Sequence, residues 1–106
     1  MSLAGFQRKH LKGLAHSLKP VVFVGKEGVT ESVQAAIEEA LLIHELIKVR
    51  FLDFKEQRKD LAKDLAKDSK SEFVGMIGHL AILYRMHPEP EHRRIQLPKK
   101  KKKKDN

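Results

Sequence analysis

The run Val21-Val22-Phe23-Val24 constrains the fold most, because β-branched and aromatic residues held between Pro20 and Gly25 are too few for a helix and suit a buried strand. Helical periodicity flanks it on both sides. Leu11, Leu14, Ala15 and Leu18 recur at i, i+3, i+4 and i+7, predicting an amphipathic helix over 5–18 that Pro20 stops. Thr30 offers an N-cap with Glu31 in the first turn, and Val33, Ala36, Ile37, Ala40, Leu41 and His44 keep helical spacing over 30–44. Leu46-Ile47-Lys48-Val49-Arg50-Phe51-Leu52 alternates, with Ile47, Val49 and Phe51 on one side and Lys48 and Arg50 on the other. Strand, helix, strand in this order implies a parallel pair with a right-handed crossover. A third helix is predicted over 55–69, where Lys59-Asp60-Leu61-Ala62 recurs as Lys63-Asp64-Leu65-Ala66 and turns Leu61 and Leu65 inward. Phe73-Val74-Gly75-Met76-Ile77 and Leu80-Ala81-Ile82-Leu83-Tyr84 read as strands joined by a hairpin at Gly78-His79. The order αβαβαββ predicts a single α/β domain with a four-stranded mixed sheet and helices packed on it.

A chain of 106 residues fits one such domain, over 1–98, and leaves no room for a cofactor domain beside a substrate domain. With no cysteine it has no disulfide, no thiolate metal site and no thiol nucleophile, and the cytoplasm is the expected compartment. Apolar runs such as Ala40-Leu41-Leu42-Ile43 fall far short of the roughly 18 residues that span a bilayer, so no membrane partner is expected. The opening Met1-Ser2-Leu3-Ala4-Gly5-Phe6 passes directly into Gln7-Arg8-Lys9-His10, without the pattern of a signal peptide.

The net charge is +8, from 22 Lys plus Arg against 14 Asp plus Glu, and it is unevenly placed. Residues 1–26 carry +5 with no acid, and residues 27–46 carry −5 with no base. Residues 99–106 hold another +5, a lysine tail expected to be disordered. The first half of the domain is therefore a dipole, which points to one oriented face for a polyanion. Arg8, Lys12, His16 and Lys19 form a basic ridge on the first helix, with Lys9 beside it.

Chemistry beyond binding has little support. The histidines lack ligand spacing, and His44-Glu45 is followed by Lys48 where a zinc-protease motif needs its second histidine, so neither a metal site nor a cofactor is expected. His44, closing an apolar stripe, reads as a core histidine. Gly25-Lys26-Glu27-Gly28 is more informative. Its glycines permit positive φ and a close backbone approach, it leads into a helix N-terminus, and Lys26 adds a charge, all of which suit an anion. A plain turn remains the alternative. The second such spacing, Gly75-Met76-Ile77-Gly78, lies within a strand and reads as close packing or a bulge. Arg85 offers a phosphate contact beside Tyr84, whose own position among Leu80 and Ile82 also fits core packing.

Leu11-Lys12-Gly13-Leu14-Ala15-His16-Ser17-Leu18-Lys19-Pro20, Val24-Gly25-Lys26-Glu27-Gly28-Val29-Thr30, His44-Glu45-Leu46-Ile47-Lys48-Val49, Ile77-Gly78 and Leu83-Tyr84-Arg85 together resemble the CRM domain in its stand-alone bacterial form, the YhbY type. Ile95-Gln96-Leu97-Pro98 is similar to the usual end of those proteins. The resemblance implies a fold akin to the C-terminal domain of translation initiation factor three, RNA binding without catalysis, and ribosomal RNA of the large-subunit precursor as partner in ribosome assembly, by a monomer. It likens residues 25–28 to the phosphate-gripping loop of KH domains. Glu27 departs from the pattern by placing an acid in that loop, and the lysine tail has no fixed counterpart. The expected RNA-binding residues are Arg8, Lys9, Lys12, Lys19, Gly25, Lys26, Gly28 and Arg85. Two other readings stand beside this one: a protein-interaction module using the acidic helix with Glu31, Glu38 and Glu39, and an RNA-modifying enzyme, for which no acid–base pair is evident.

Overall fold

The structure is a computed structural model that describes residues 3–99. The disordered tail expected over 99–106 lies, from residue 100 onward, outside the described residues. In chain order the elements are α1 (Gly5–Ala15), β1 (Val22–Val24), α2 (Glu31–His44), β2 (Leu46–Phe51), α3 (Arg58–Asp68), β3 (Glu72–Ile77), β4 (Leu80–Tyr84) and a 3-10 turn (Pro90–His92). The strands form one mixed sheet in the order β1-β2-β4-β3, with β1 parallel to β2 and the other neighbours antiparallel. This is the predicted αβαβαββ architecture.

Strand alternation sends each sheet face to a different core. Val22, Val24, Ile47, Val49, Phe51, Ala81 and Leu83 meet Ile37, Ala40 and Leu41 of α2 and Ala62, Leu65 and Ala66 of α3. On the opposite face Leu46, Val74, Ile82 and Tyr84 meet Leu11 and Ala15 of α1, with Ile95 and Leu97 closing the edge. The apolar residues of the C-terminal segment thus anchor it, and Gln7 Nε2 donates to Pro98 O at 3.0 Å. Thr30 caps α2, its Oγ1 accepting from Val33 N at 3.2 Å. Gly75 sits at a register shift between β3 and β4, and a Cβ there would stand 3.3 Å from Lys12 Cε, so the bulge and the close packing coincide.

Four local expectations are corrected. The first helix ends at Ala15, not at residue 18, because the chain must turn to enter β1; Leu14 and Leu18 consequently stay 41% and 38% exposed. Lys48 does lie opposite Ile47, Val49 and Phe51 as the alternation implies, and there it is buried beneath the end of α1, where its Nζ donates to Leu18 O at 2.9 Å and His16 O at 3.3 Å. That ammonium satisfies carbonyls which the helix end leaves free. Phe23, read as part of a buried strand, is half exposed, since β1 is an edge strand that α1 does not reach. His44 is exposed, not a core residue, and α3 starts at Arg58 after a turn in which Gln57 N donates to Phe54 O at 3.0 Å.

Candidate nucleic-acid interface

The sheet separates the charges that the sequence holds side by side. α1, with its cations, packs on one face, while α2, with Glu31, Glu38 and Glu39 exposed, packs on the other. On the α1 face Lys9, Lys12 and Lys19 are exposed, and no hydrogen bond or ion pair engages their side chains among the described residues. Lys12 lies across Gly75, where the missing side chain lets the lysine stem rest on the sheet and project its ammonium at the rim. Arg8 is partly committed, its Nη1 donating to Leu3 O at 2.8 Å.

Residues 25–28 form a closed turn at the end of β1, with Gly28 N donating to Gly25 O at 2.9 Å. Gly28 takes φ +75° and is buried under Phe54, whose ring would lie 3.4 Å from a Cβ at that position. The positive φ is what favours glycine there, since the Cβ would only touch the ring at ordinary contact distance. Gly25 has open space where a Cβ would be, and Lys26 and Glu27 project into solvent. The turn is thus an exposed backbone corner with one cation and one anion at its tip.

Arg85 is not brought to this surface. Its guanidinium pairs with Glu38 Oε2 at 2.7 Å and donates to Ser69 O at 2.8 Å, tying β4 to α2 and to the end of α3. The hydrogen bond from Arg85 holds the Glu38 carboxyl below its usual range.

Most of the chain matches one family model: residues 3–85 fit the CRS1 / YhbY (CRM) domain. The chain belongs to that family. A protein of Haemophilus influenzae named RNA-binding protein is 44% identical over 100 residues, covering 93% of this chain and 98% of its own. A probable RNA-binding protein of Pseudomonas aeruginosa is 43% identical over 91 residues, covering 85% of this chain and 88% of its own. The solution structure of a hypothetical protein from Staphylococcus aureus superposes with a TM-score of 0.76 at 35% identity, over 92% of this chain and all of that one.

In this CRM domain the sequence reading missed one organising residue. Glu45 follows the last turn of α2 with φ +65°, is fully buried, and accepts three backbone N–H groups: His87 on Oε2 at 2.7 Å, and Arg94 and Ile95 on Oε1 at 2.7 and 3.0 Å. Its own carbonyl accepts from Arg85 N at 2.8 Å. The carboxylate therefore pins the segment after β4 across the end of the sheet. The available signal was an acid standing, beside His44, inside the largely apolar stretch from Ala40 to Ile47. Near it, the Tyr84 hydroxyl is buried without a hydrogen-bond partner among the described residues, and burial, then the Glu45 charge, push its pKa up to about 12.

Glu89, Glu91 and His92 cluster on the 3-10 turn, with ligand atoms within 4.8 Å of one another, but all three are exposed and Glu89 already meets His92 at 3.2 Å. Among the described residues no helix is long and apolar enough to cross a membrane.

Proposed function

We propose that this CRM domain binds RNA without catalysing a reaction on it, that its target is ribosomal RNA in precursors of the large ribosomal subunit, and that it acts in the cytoplasm as a monomer. The observation that carries the RNA-binding reading is the sorting of charge: Lys9, Lys12 and Lys19 on the α1 face stand unpaired among the described residues, while the glutamates of α2 occupy the opposite face. Phosphates meet the ridge and Lys26, and the corner at Gly25 admits a backbone close to the protein. The acidic face disfavours docking the wrong way round. The names of the relatives support RNA as the partner. The assembly role extends the family resemblance and takes its support from there.

The protein-interaction reading loses ground because Glu38 is already bound by Arg85. Arg85 in turn is assigned to holding the fold and not to phosphate. The lysine tail adds affinity without choosing a target.

The test is a salt series on a structured ribosomal RNA fragment and on a random RNA of equal length. Removing both Lys12 and Lys26 to alanine should lower the log–log salt slope by about 1.4 to 1.8, at roughly 0.7 to 0.9 per phosphate contact, and reduce the preference for the true site. Deleting residues 99–106 should flatten the slope but weaken both RNAs alike. Equal losses on both RNAs in the double variant would sink the ridge-and-loop assignment.

A further inference from the structure

The half of the sheet that α1 leaves open carries a second surface. One row of side chains crosses all four strands there: Phe23 is paired with Arg50, Arg50 with Leu80, and Leu80 with Ile77. All four lie on the α1 face, because Leu80 alternates in step with Ile82 and Tyr84, which pack beneath that helix. The next row toward the helix is Lys48, Ile82 and Gly75, and Lys12 crosses it at Gly75. The open row thus begins about 7 Å, two residues of strand, beyond the ridge. At its far side β1 runs from Phe23 through Val24 directly into the 25–28 turn. The row therefore lies between the two elements assigned to phosphates.

Its exposure is unusual for its chemistry. Phe23 is 50% and Ile77 is 40% exposed, Arg50 is exposed between them, and Leu80 is half-buried. Apolar side chains gathered in one row and left in water mark a contact surface more often than scattered ones do. Arg50 makes no hydrogen bond or ion pair among the described residues. An apolar protein partner would have to bury that guanidinium without a counter-charge, at a high desolvation cost. A nucleotide satisfies both groups at once, since its base stacks on the ring while its phosphate meets the guanidinium.

The geometry points to a base-stacking site on this sheet face: an unpaired RNA base lies on the Phe23 ring, with Arg50 and Lys12 holding the adjoining phosphates. The base must be unpaired, because a duplex hides the faces of its bases in its own stack. This assignment rests on the RNA-binding reading and adds the kind of RNA, a loop or bulge whose bases are splayed out.

The experiment compares the full chain with Phe23→Leu and Phe23→Trp on two probes, a hairpin RNA with 2-aminopurine in its loop and a blunt duplex RNA of the same length. Phe23→Leu keeps apolar bulk and removes the ring, and thermal unfolding checks that both variants fold. Phe23→Leu should weaken hairpin binding by about five- to a hundredfold, the loss of one base–aromatic stack, and leave duplex binding unchanged. Phe23→Trp should keep the hairpin affinity. Since the chain has no other tryptophan, its indole emission should be quenched by the hairpin and not by the duplex. Wild-type hairpin affinity and an unchanged 2-aminopurine signal in Phe23→Leu overturn the stacking site while leaving RNA binding in place. Failure of the wild-type chain to bind either probe removes the RNA-binding reading and the stacking site with it. A dimer seen by sedimentation and abolished by Phe23→Leu would assign the row to a second copy and also overturn the proposal.

Discussion

Replacing Glu45 by glutamine changes one atom of the side chain and tests whether its charge organises the C-terminal segment. The carboxylate accepts from His87, Arg94 and Ile95 N–H groups, all at 3.0 Å or less. A glutamine oxygen can still serve Arg94 and Ile95, but its NH2 then faces the His87 N–H, donor against donor. The substitution forfeits one charge-assisted bond and leaves a buried donor unsatisfied, for a loss of about 2–4 kcal/mol. Against a total stability of roughly 5–15 kcal/mol for a domain of this kind, that is a large fraction. The melting temperature should fall by about 10–20 °C. Thermal unfolding by circular dichroism measures the fall, and amide exchange at His87, Arg94 and Ile95 locates it. Glu45→Ala, which strands all three donors, should cost more. A Glu45→Gln protein that melts with the wild type and keeps those amides protected would refute the reasoning.

Tyr84 predicts a pH dependence. The folded chain keeps its phenolic proton up to about 12, whereas the unfolded chain loses it near 10, so in that window the unfolded state binds fewer protons and stability falls as pH rises. The fall attributable to this group is at most about 3 kcal/mol. Urea unfolding across the window should show a shallower decline in Tyr84→Phe than in wild type, and identical profiles would exclude the assignment. At neutral pH the same variant should stay within about 1 kcal/mol of wild type, because the hydroxyl it removes has no partner among the described residues. Lys48→Met keeps the aliphatic stem but releases the carbonyls of His16 and Leu18; denaturant unfolding should report a loss of about 1–3 kcal/mol, with faster exchange in the last turn of α1.

Periodicity made the element order legible. The stripe on α2, the alternation of β2 and the glycines around the hairpin are local signals, and each forecast an element of the right type. What local signals could not show is which elements cover which face. Phe23 reads as a core strand residue because Val22 and Val24 beside it are one; its exposure depends on where α1 stops, which is set in part by Lys48. Glu45 counts as one more acid in an acidic segment until its partners, 42 to 50 residues away, close around it. Of the basic ridge, Arg8 and Lys12 lie on α1 as their spacing implied, whereas His16 and Lys19 fall beyond its end at Ala15, and the 25–28 turn was legible as paired glycines. Arg85 was not, since its role depends on Glu38 of α2 and on Ser69 at the end of α3. The charge asymmetry between residues 1–26 and 27–46 gains its meaning only when the sheet is placed between them.

Amide NMR of the full chain, titrated with a hairpin RNA that has an unpaired loop, tests the central claim most directly. The shifts should gather on one face, at Lys12, Phe23, Lys26 and Arg50, and leave Glu31, Glu38 and Glu39 of α2 unmoved. Shifts concentrated on α2 and α3, with the α1 face silent, would contradict it.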